Sequence, residues 1–264
     1  MNTGTHALAG LSALLLASAG HAQDVTGQSG AADLGVDSPR QVLFVGNSYL
    51  YYNDSLHNHT SRMVAEGEGI DDLAYRSVTI SGGSLNFQPI DHYLTQGAIG
   101  YDGPFDVVIL QGHSAAANTE TRRERFRGAV LSAHEMIEAH GATTALYMTH
   151  AYAEGHNNYD PEMTGNLAAL YTEIGNEIGA LVIPVGLAFE RARAERPELD
   201  LHVEFDHSHP NLEGSYLAAA TVYATLYGAP SVGLEYDYFG RLDAETVRFL
   251  QEVAIDTVSS FQGN

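Results

Sequence analysis

Beyond residue 40 the chain alternates between short apolar-rich runs and longer stretches in which apolar positions recur every three to four residues. The runs cover 41–45, 74–80, 105–110, 143–148 and 181–185, lengths that suit strands better than buried helices. Residues 41–45 read as a compact buried strand and 105–110 as the clearest strand of the chain. The periodic stretches 55–68, 121–140, 161–178, 188–196, 212–227 and 243–260 predict helices. Strands separated by helices of this length form βαβ units with right-handed crossovers. The expectation is an α/β fold, a flavodoxin-like three-layer α/β/α sandwich with a five-stranded parallel sheet. Residues 40–264 read as one domain, without internal repeat or linker. Open parallel sheets place their sites at the carboxyl ends of the strands. That directs attention to residues 46–49, 81–84, 111–114 and 149–152.

The segment before the domain has a different pattern. An apolar run at 7–19 is followed by Gly20-His21-Ala22, which reads as a signal peptide over 1–22 cleaved near Ala22, and hence as export. The run is too short to span a membrane, and no later stretch is apolar enough, so stable membrane insertion is not expected. Residues 23–39, rich in Gly, Ser, Asp and Ala, read as a flexible leader.

Composition then narrows the chemistry. The chain contains no cysteine, which excludes thiol nucleophiles, Cys-ligated metals and disulfides. All 12 basic residues are Arg, so Ser–Lys dyads, Schiff-base lysines and P-loops are excluded as well. The formal net charge of −21 repels phosphate backbones and argues against a nucleic-acid partner. Arg122, Arg123, Arg125 and Arg127 read as a solvated helix face, with anion binding as the alternative.

Two stretches carry candidate chemistry. Gly46-Asn47-Ser48-Tyr49 ends the first strand just before helix-like sequence. A serine there can expose its hydroxyl beside helix N–H groups, or act merely as a cap or turn former. Asp206-His207-Ser208-His209-Pro210-Asn211 precedes the helix at 212–227. A carboxylate three residues before an imidazole can accept from its Nδ1–H, fix the tautomer and leave Nε2 free as a base. Alternatively, His207 and His209 form an H-x-H metal pair completed by His202, Asp206 or His150, or the stretch is a solvated acidic turn.

Taken in order, Gly46-Asn47-Ser48-Tyr49, Ser81-Gly82-Gly83-Ser84, Gln111-Gly112-His113-Ser114 and Asp206-His207-Ser208-His209-Pro210 resemble the four blocks of the SGNH/GDSL hydrolase superfamily, over about residues 41–228. The resemblance implies Ser48 as nucleophile, His209 as general base and acid, and Asp206 as its orienting partner. It implies backbone N–H groups of Ser48 and of Gly82 or Gly83 as oxyanion donors, with no metal and no cofactor. The third block departs from the usual Gly-x-Asn, since Ser114 stands at the Asn position. It is similar to the Gln-Gly-Glu-Ser block of sugar and sialate O-acetylesterases, which points to Gln111 as third donor, with Ser114 in reserve. Tyr49, His92, His113, Ser114 and His150 are candidates for the substrate pocket. The implied activity is a serine esterase acting on short acyl, chiefly acetyl, esters of carbohydrates. A lipid, aryl-ester or thioester hydrolase is the alternative, as is a non-catalytic carbohydrate-binding module on a degenerate hydrolase scaffold.

Overall fold

The five apolar runs become β1 (Gln41–Gly46), β2 (Ala74–Thr79), β3 (Val107–Gln111), β4 (Thr143–Tyr147) and β5 (Leu181–Ile183) in a computed structural model. The structure describes residue 1, residues 34–228 and residues 231–263. All neighbouring strands are parallel, in the order β2-β1-β3-β4-β5. This is the expected flavodoxin-like arrangement.

Each central strand divides its side chains between two cores, as the two-residue period of a strand requires. Val42 and Phe44 of β1, with Val107 and Ile109 of β3, face one core; Leu43, Val45, Val108 and Leu110 face the other. The first core is covered by α2 (Leu56–Glu68), α6 (Val185–Glu195), α7 (Leu212–Tyr227) and α8 (Ala244–Gln262). The second is covered mainly by α4 (Glu120–Ala139) and α5 (Met163–Ile178). Helix α7 is buried along every residue from Gly214 to Leu226, because α8 packs over its outer side. Its apolarity on all sides is the sequence mark of such a helix.

Three short elements have no counterpart in the hydrophobic pattern: α1 (Ser48–Tyr51), a 3-10 turn at Leu85–Phe87, and α3 (Ile90–Leu94). Four or five residues are too few to display a 3.6-residue period. Strand β5 stops at Ile183, and α6 begins immediately after Pro184, earlier than expected. Proline has no N–H for the sheet but fits a helix start, so Val185 begins a helix although its apolarity reads as strand. The expected signal peptide lies outside the described residues except for residue 1. Of the expected leader, residues 23–33 also lie outside the described residues, and its last six, 34–39, are described. Leu34 is buried in the first core, its carbonyl accepts from Thr143 Oγ1 at 3.0 Å, and the Pro39 carbonyl accepts from the Tyr227 hydroxyl. Among the described residues, no helix is long and apolar enough to cross a membrane.

Candidate active site

At the carboxyl edge of the sheet, β1 runs into Gly46-Asn47-Ser48. A Cβ on Gly46 would lie 2.2 Å from Gln111 Oε1 and 2.7 Å from Leu50 Cδ1, so only glycine fits. The room serves Gln111, whose Oε1 accepts from the Asn47 N–H at 2.8 Å. Asn47 caps α1: its Oδ1 accepts from the Tyr49 N–H at 3.1 Å, while its Nδ2 donates to the Gly83 carbonyl at 3.1 Å. Ser48 thereby becomes the first residue of a helix, where the backbone N–H has no intrahelical acceptor.

The second half of the site is an irregular loop closed by backbone bonds. His202 bridges Pro210 in antiparallel fashion, and the Val203 N–H donates to the His209 carbonyl at 2.9 Å. Within it His207 takes a left-handed φ of 53°, which folds Asp206 back toward His209. Asp206 Oδ1 accepts from the N–H groups of Ser208 (2.9 Å) and His209 (3.0 Å), leaving Oδ2 for the His209 Nδ1–H at 2.5 Å. His209 Nε2 lies 2.7 Å from Ser48 Oγ. Ser48, His209 and Asp206 are thus connected in the geometry of a catalytic triad.

The electrostatics suit that chain. Burial alone would raise the Asp206 carboxyl, but hydrogen bonds from the His209 side chain and from the His209 and Ser208 N–H groups hold it below the usual carboxylate range. A persistent carboxylate fixes the imidazole tautomer with its proton on Nδ1, so Nε2 can accept from Ser48. The imidazole is also walled by rings. Tyr52 stacks on it at 4.2 Å and 12°, and Tyr49 meets it edge-on at 5.5 Å.

Several expected substrate residues turn out to hold the loop instead. Tyr49 and His150 are buried and packed against the loop that carries His209. His150 lies between Tyr49 (4.3 Å) and Phe189 (4.2 Å), both stacked within 6° of its plane. Its Nε2–H donates to the Ser208 carbonyl at 2.9 Å, its Nδ1 has no partner among the described residues, and burial followed by the proximity of His202 drives its pKa well below the ordinary value. It is therefore a neutral donor. The Tyr49 hydroxyl shares a 2.8 Å bond with Ser208 Oγ, and the His202 Nε2–H donates to the Ala151 carbonyl at 3.0 Å.

Gln111 also departs from expectation. Its amide nitrogen donates to the Gly112 carbonyl, and the residue is 1% exposed. It sits beneath the Ser48 turn as a brace, with its amide engaged by Asn47 and Gly112 and turned away from a place as third oxyanion donor. Ser114, the reserve, is buried with its hydroxyl bonded to that of Tyr152 at 2.8 Å. Of the two candidate glycines, Gly83 uses its N–H to close a turn on the Ile80 carbonyl at 2.9 Å. Gly82, with φ of 62°, makes no such bond among the described residues, which leaves the Gly82 and Ser48 N–H groups open. His113 is half-buried beside this turn, with Nδ1 accepting from the Ala115 N–H at 3.0 Å. His92 is exposed on α3 next to Tyr93, and no described contact links it to the triad.

Sequence reading missed the link between the two halves. Asn53, Asp54 and Ser55 follow α1 with consecutive left-handed φ values of 51°, 74° and 64°. Such backbone is costly for residues other than glycine, of order 1–3 kcal/mol each, and persists where the surroundings require it. Here it turns Asn53 so that Nδ2 donates to the Pro210 carbonyl at 2.9 Å and to Ser215 Oγ at 2.7 Å. The tolerance of Asn and Asp for left-handed backbone was the only local signal. As for metal, both ring nitrogens of His209 are engaged within the triad, and among the described residues no group of three His, Asp or Glu is disposed to hold an ion.

No protein-family model matches the chain, and no curated protein matches it either. Solved structures do. A DUF4886 family protein from Bacteroides uniformis superimposes with a TM-score of 0.66 at 18% identity, over 82% of this chain and 93% of the other. A protein proposed to be an SGNH hydrolase, from Slackia heliotrinireducens, gives 0.57 at 23% identity, over 70% and 97%. The acetyl xylan esterase AlAXEase gives 0.53 at 17% identity, over 69% and 98%. At these identities the likeness establishes a shared three-layer fold.

Proposed function

We propose that this chain, which has the fold of the SGNH/GDSL hydrolases, is a serine esterase that cleaves short acyl esters, chiefly acetyl, of carbohydrates. The observation that carries this reading is the unbroken hydrogen-bonded chain from Ser48 Oγ through His209 to Asp206. In the first half-reaction His209 Nε2 takes the Ser48 proton as Oγ attacks the ester carbonyl. The oxyanion forms against the N–H groups of Ser48 and Gly82. His209 then gives its proton to the departing alcohol, leaving an acyl-Ser48, and water repeats the sequence to release the acid and restore the serine. Each donor in such a hole typically contributes about 10²–10³ in turnover.

Two features favour a small acyl group on a sugar. Ser48 is 6% exposed, which favours a small acyl group over a bulky one. Phe205, next to Asp206, and Phe87, just after the Gly82 turn, are 77% and 65% exposed, flat apolar faces of the kind sugar rings stack on. Export is part of the proposal, resting on the apolar run at 7–19. Hydrolysis of p-nitrophenyl esters from acetate to octanoate by wild type and Ser48→Ala tests the reading. Activity that declines with chain length and vanishes in the variant is expected. Equal background rates in two folded proteins would replace it with the non-catalytic binding module.

A further inference from the structure

Beside the Gly82 turn lies a cavity of about 160 Å3 whose polar lining comes from Gly82, Ser84, Asn86, His113, Arg122 and Arg125. Leu85 and Phe126 supply its apolar wall. It adjoins the nucleophile turn through direct bonds: Asn47 reaches the Gly83 carbonyl, and the Tyr51 hydroxyl shares a 3.0 Å bond with Ser81 Oγ. Whatever occupies it sits next to a proposed oxyanion donor.

Its two arginines are hard to explain as stabilising residues. The protein carries a net charge of −21, yet among the described residues no carboxylate lies within ion-pair distance of Arg122 or Arg125. Arg127, one turn along the same helix, is paired with Glu177 in the ordinary way. Arg122 and Arg125 stand three residues apart on one helix face, where like charges repel, and within the first two turns of α4, where cations oppose the helix dipole. The one bond recorded in return is a long 3.5 Å contact from Arg122 Nη1 to the Ala115 carbonyl, and a breach of local rules for so small a gain is the pattern expected of a functional site. His113, lowered by burial and then by Arg122, is neutral and adds hydrogen-bonding capacity without further charge.

We propose that this cavity binds an anionic group, carboxylate or sulfate ester, of the saccharide that carries the scissile ester. The enzyme's preferred substrate is then an acylated acidic sugar rather than a neutral one. Arg122 directs one Nη1–H to the Ala115 carbonyl at 3.5 Å; the remaining N–H donors of the two unneutralised guanidiniums have a geometry matched to carboxylate and sulfate oxygens. The net charge of −21 repels such a substrate in general, so two neighbouring cations without a carboxylate partner favour its approach at this cavity. The word substrate rests on the esterase reading above; the binding of an anionic sugar does not.

The test is equilibrium binding of tri-galacturonic acid, a sulfated trisaccharide of equal charge, and neutral xylotriose to wild type, Arg122→Gln/Arg125→Gln and Arg127→Gln, by calorimetry at low salt. The expected result is at least tenfold tighter binding of an acidic probe than of xylotriose to wild type. That preference should be lost in the double variant, kept in Arg127→Gln, and weakened as salt is raised. Whichever acidic probe binds more tightly identifies the anion. Thermal midpoints of the double variant should equal or exceed wild type, because the substitutions relieve repulsion. No charge preference in wild type, or the same preference in the double variant, overturns the proposal, as does a large fall in midpoint. The kcat/KM ratio for acetylated galacturonan over acetylated xylan should fall at least tenfold in the double variant. Binding without any Ser48-dependent hydrolysis would remove the esterase reading alone; hydrolysis without charge preference would remove this inference alone.

Discussion

The proposed nucleophile and its proposed base are held by different kinds of structure. Ser48 sits at the end of a central strand, fixed by a glycine with no room for a Cβ, a side-chain cap and a buried glutamine from the neighbouring strand. His209 sits in irregular backbone whose carbonyls are reached from outside by the His150 ring on Ser208, the Ala153 N–H on His207 and Asn53 on Pro210. The first arrangement follows from regular secondary structure and its termini. The second depends on side chains distant in sequence, with His150 held between two aromatic rings. Within one site, the rigid partner is supplied by the fold and the adjustable partner by a set of specific hydrogen bonds. Damage to the two sides should therefore differ in kind.

The largest effect belongs to the group both sides converge on. His209→Gln should lower kcat/KM by about 10⁴ or more with little change in thermal midpoint, since the base is lost and the fold is not. Next is the brace under the nucleophile. Gln111→Leu leaves the buried Asn47 N–H without its acceptor, so denaturant unfolding should show a loss of about 1–3 kcal/mol alongside reduced turnover. A drop in turnover with unchanged stability would instead make Gln111 an oxyanion donor.

On the other side, Asn53→Gly preserves the left-handed backbone and removes only the link to Pro210 and Ser215. Turnover should fall about tenfold while the unfolding midpoint moves little, because the link positions the base and does not support the core. The smallest effect is visible only as a pH dependence. His150 is neutral when folded, with its pKa lowered by burial, so the unfolded chain binds the extra proton. Stability from this residue is complete above the unfolded histidine value of about 6.5 and declines as pH falls below it, by up to about 1.4 kcal/mol per pH unit. His150→Gln keeps a donor and removes the titration, so unfolding curves between pH 6.5 and 5 should show a shallower acid slope. An unaltered slope would mean that the buried ring is not the group responsible.

The same contrast sets what could be read from the chain. The sheet, helix α7 from its Asn211 cap to Gly228, and the local Asp206–His209 turn all show themselves within a few residues, through apolar runs, caps and spacing. The Ser48 turn was legible for the same reason. The roles of Tyr49, His150 and Gln111 were not, because each depends on which distant groups the fold brings beside them. A buried histidine between rings and an exposed one lining a pocket look alike in sequence. Asn53 was invisible as a link because its reach to Pro210 spans 157 positions.

The central claim is that Ser48 is a nucleophile activated by His209. Labelling with a p-nitrophenyl phosphonate, read by intact-mass and peptide mass spectrometry, tests it most directly. A single adduct on Ser48 in wild type, formed far more slowly in His209→Gln and absent in Ser48→Ala, is the predicted result. A folded protein that takes no label, or takes it on another residue, would contradict the account.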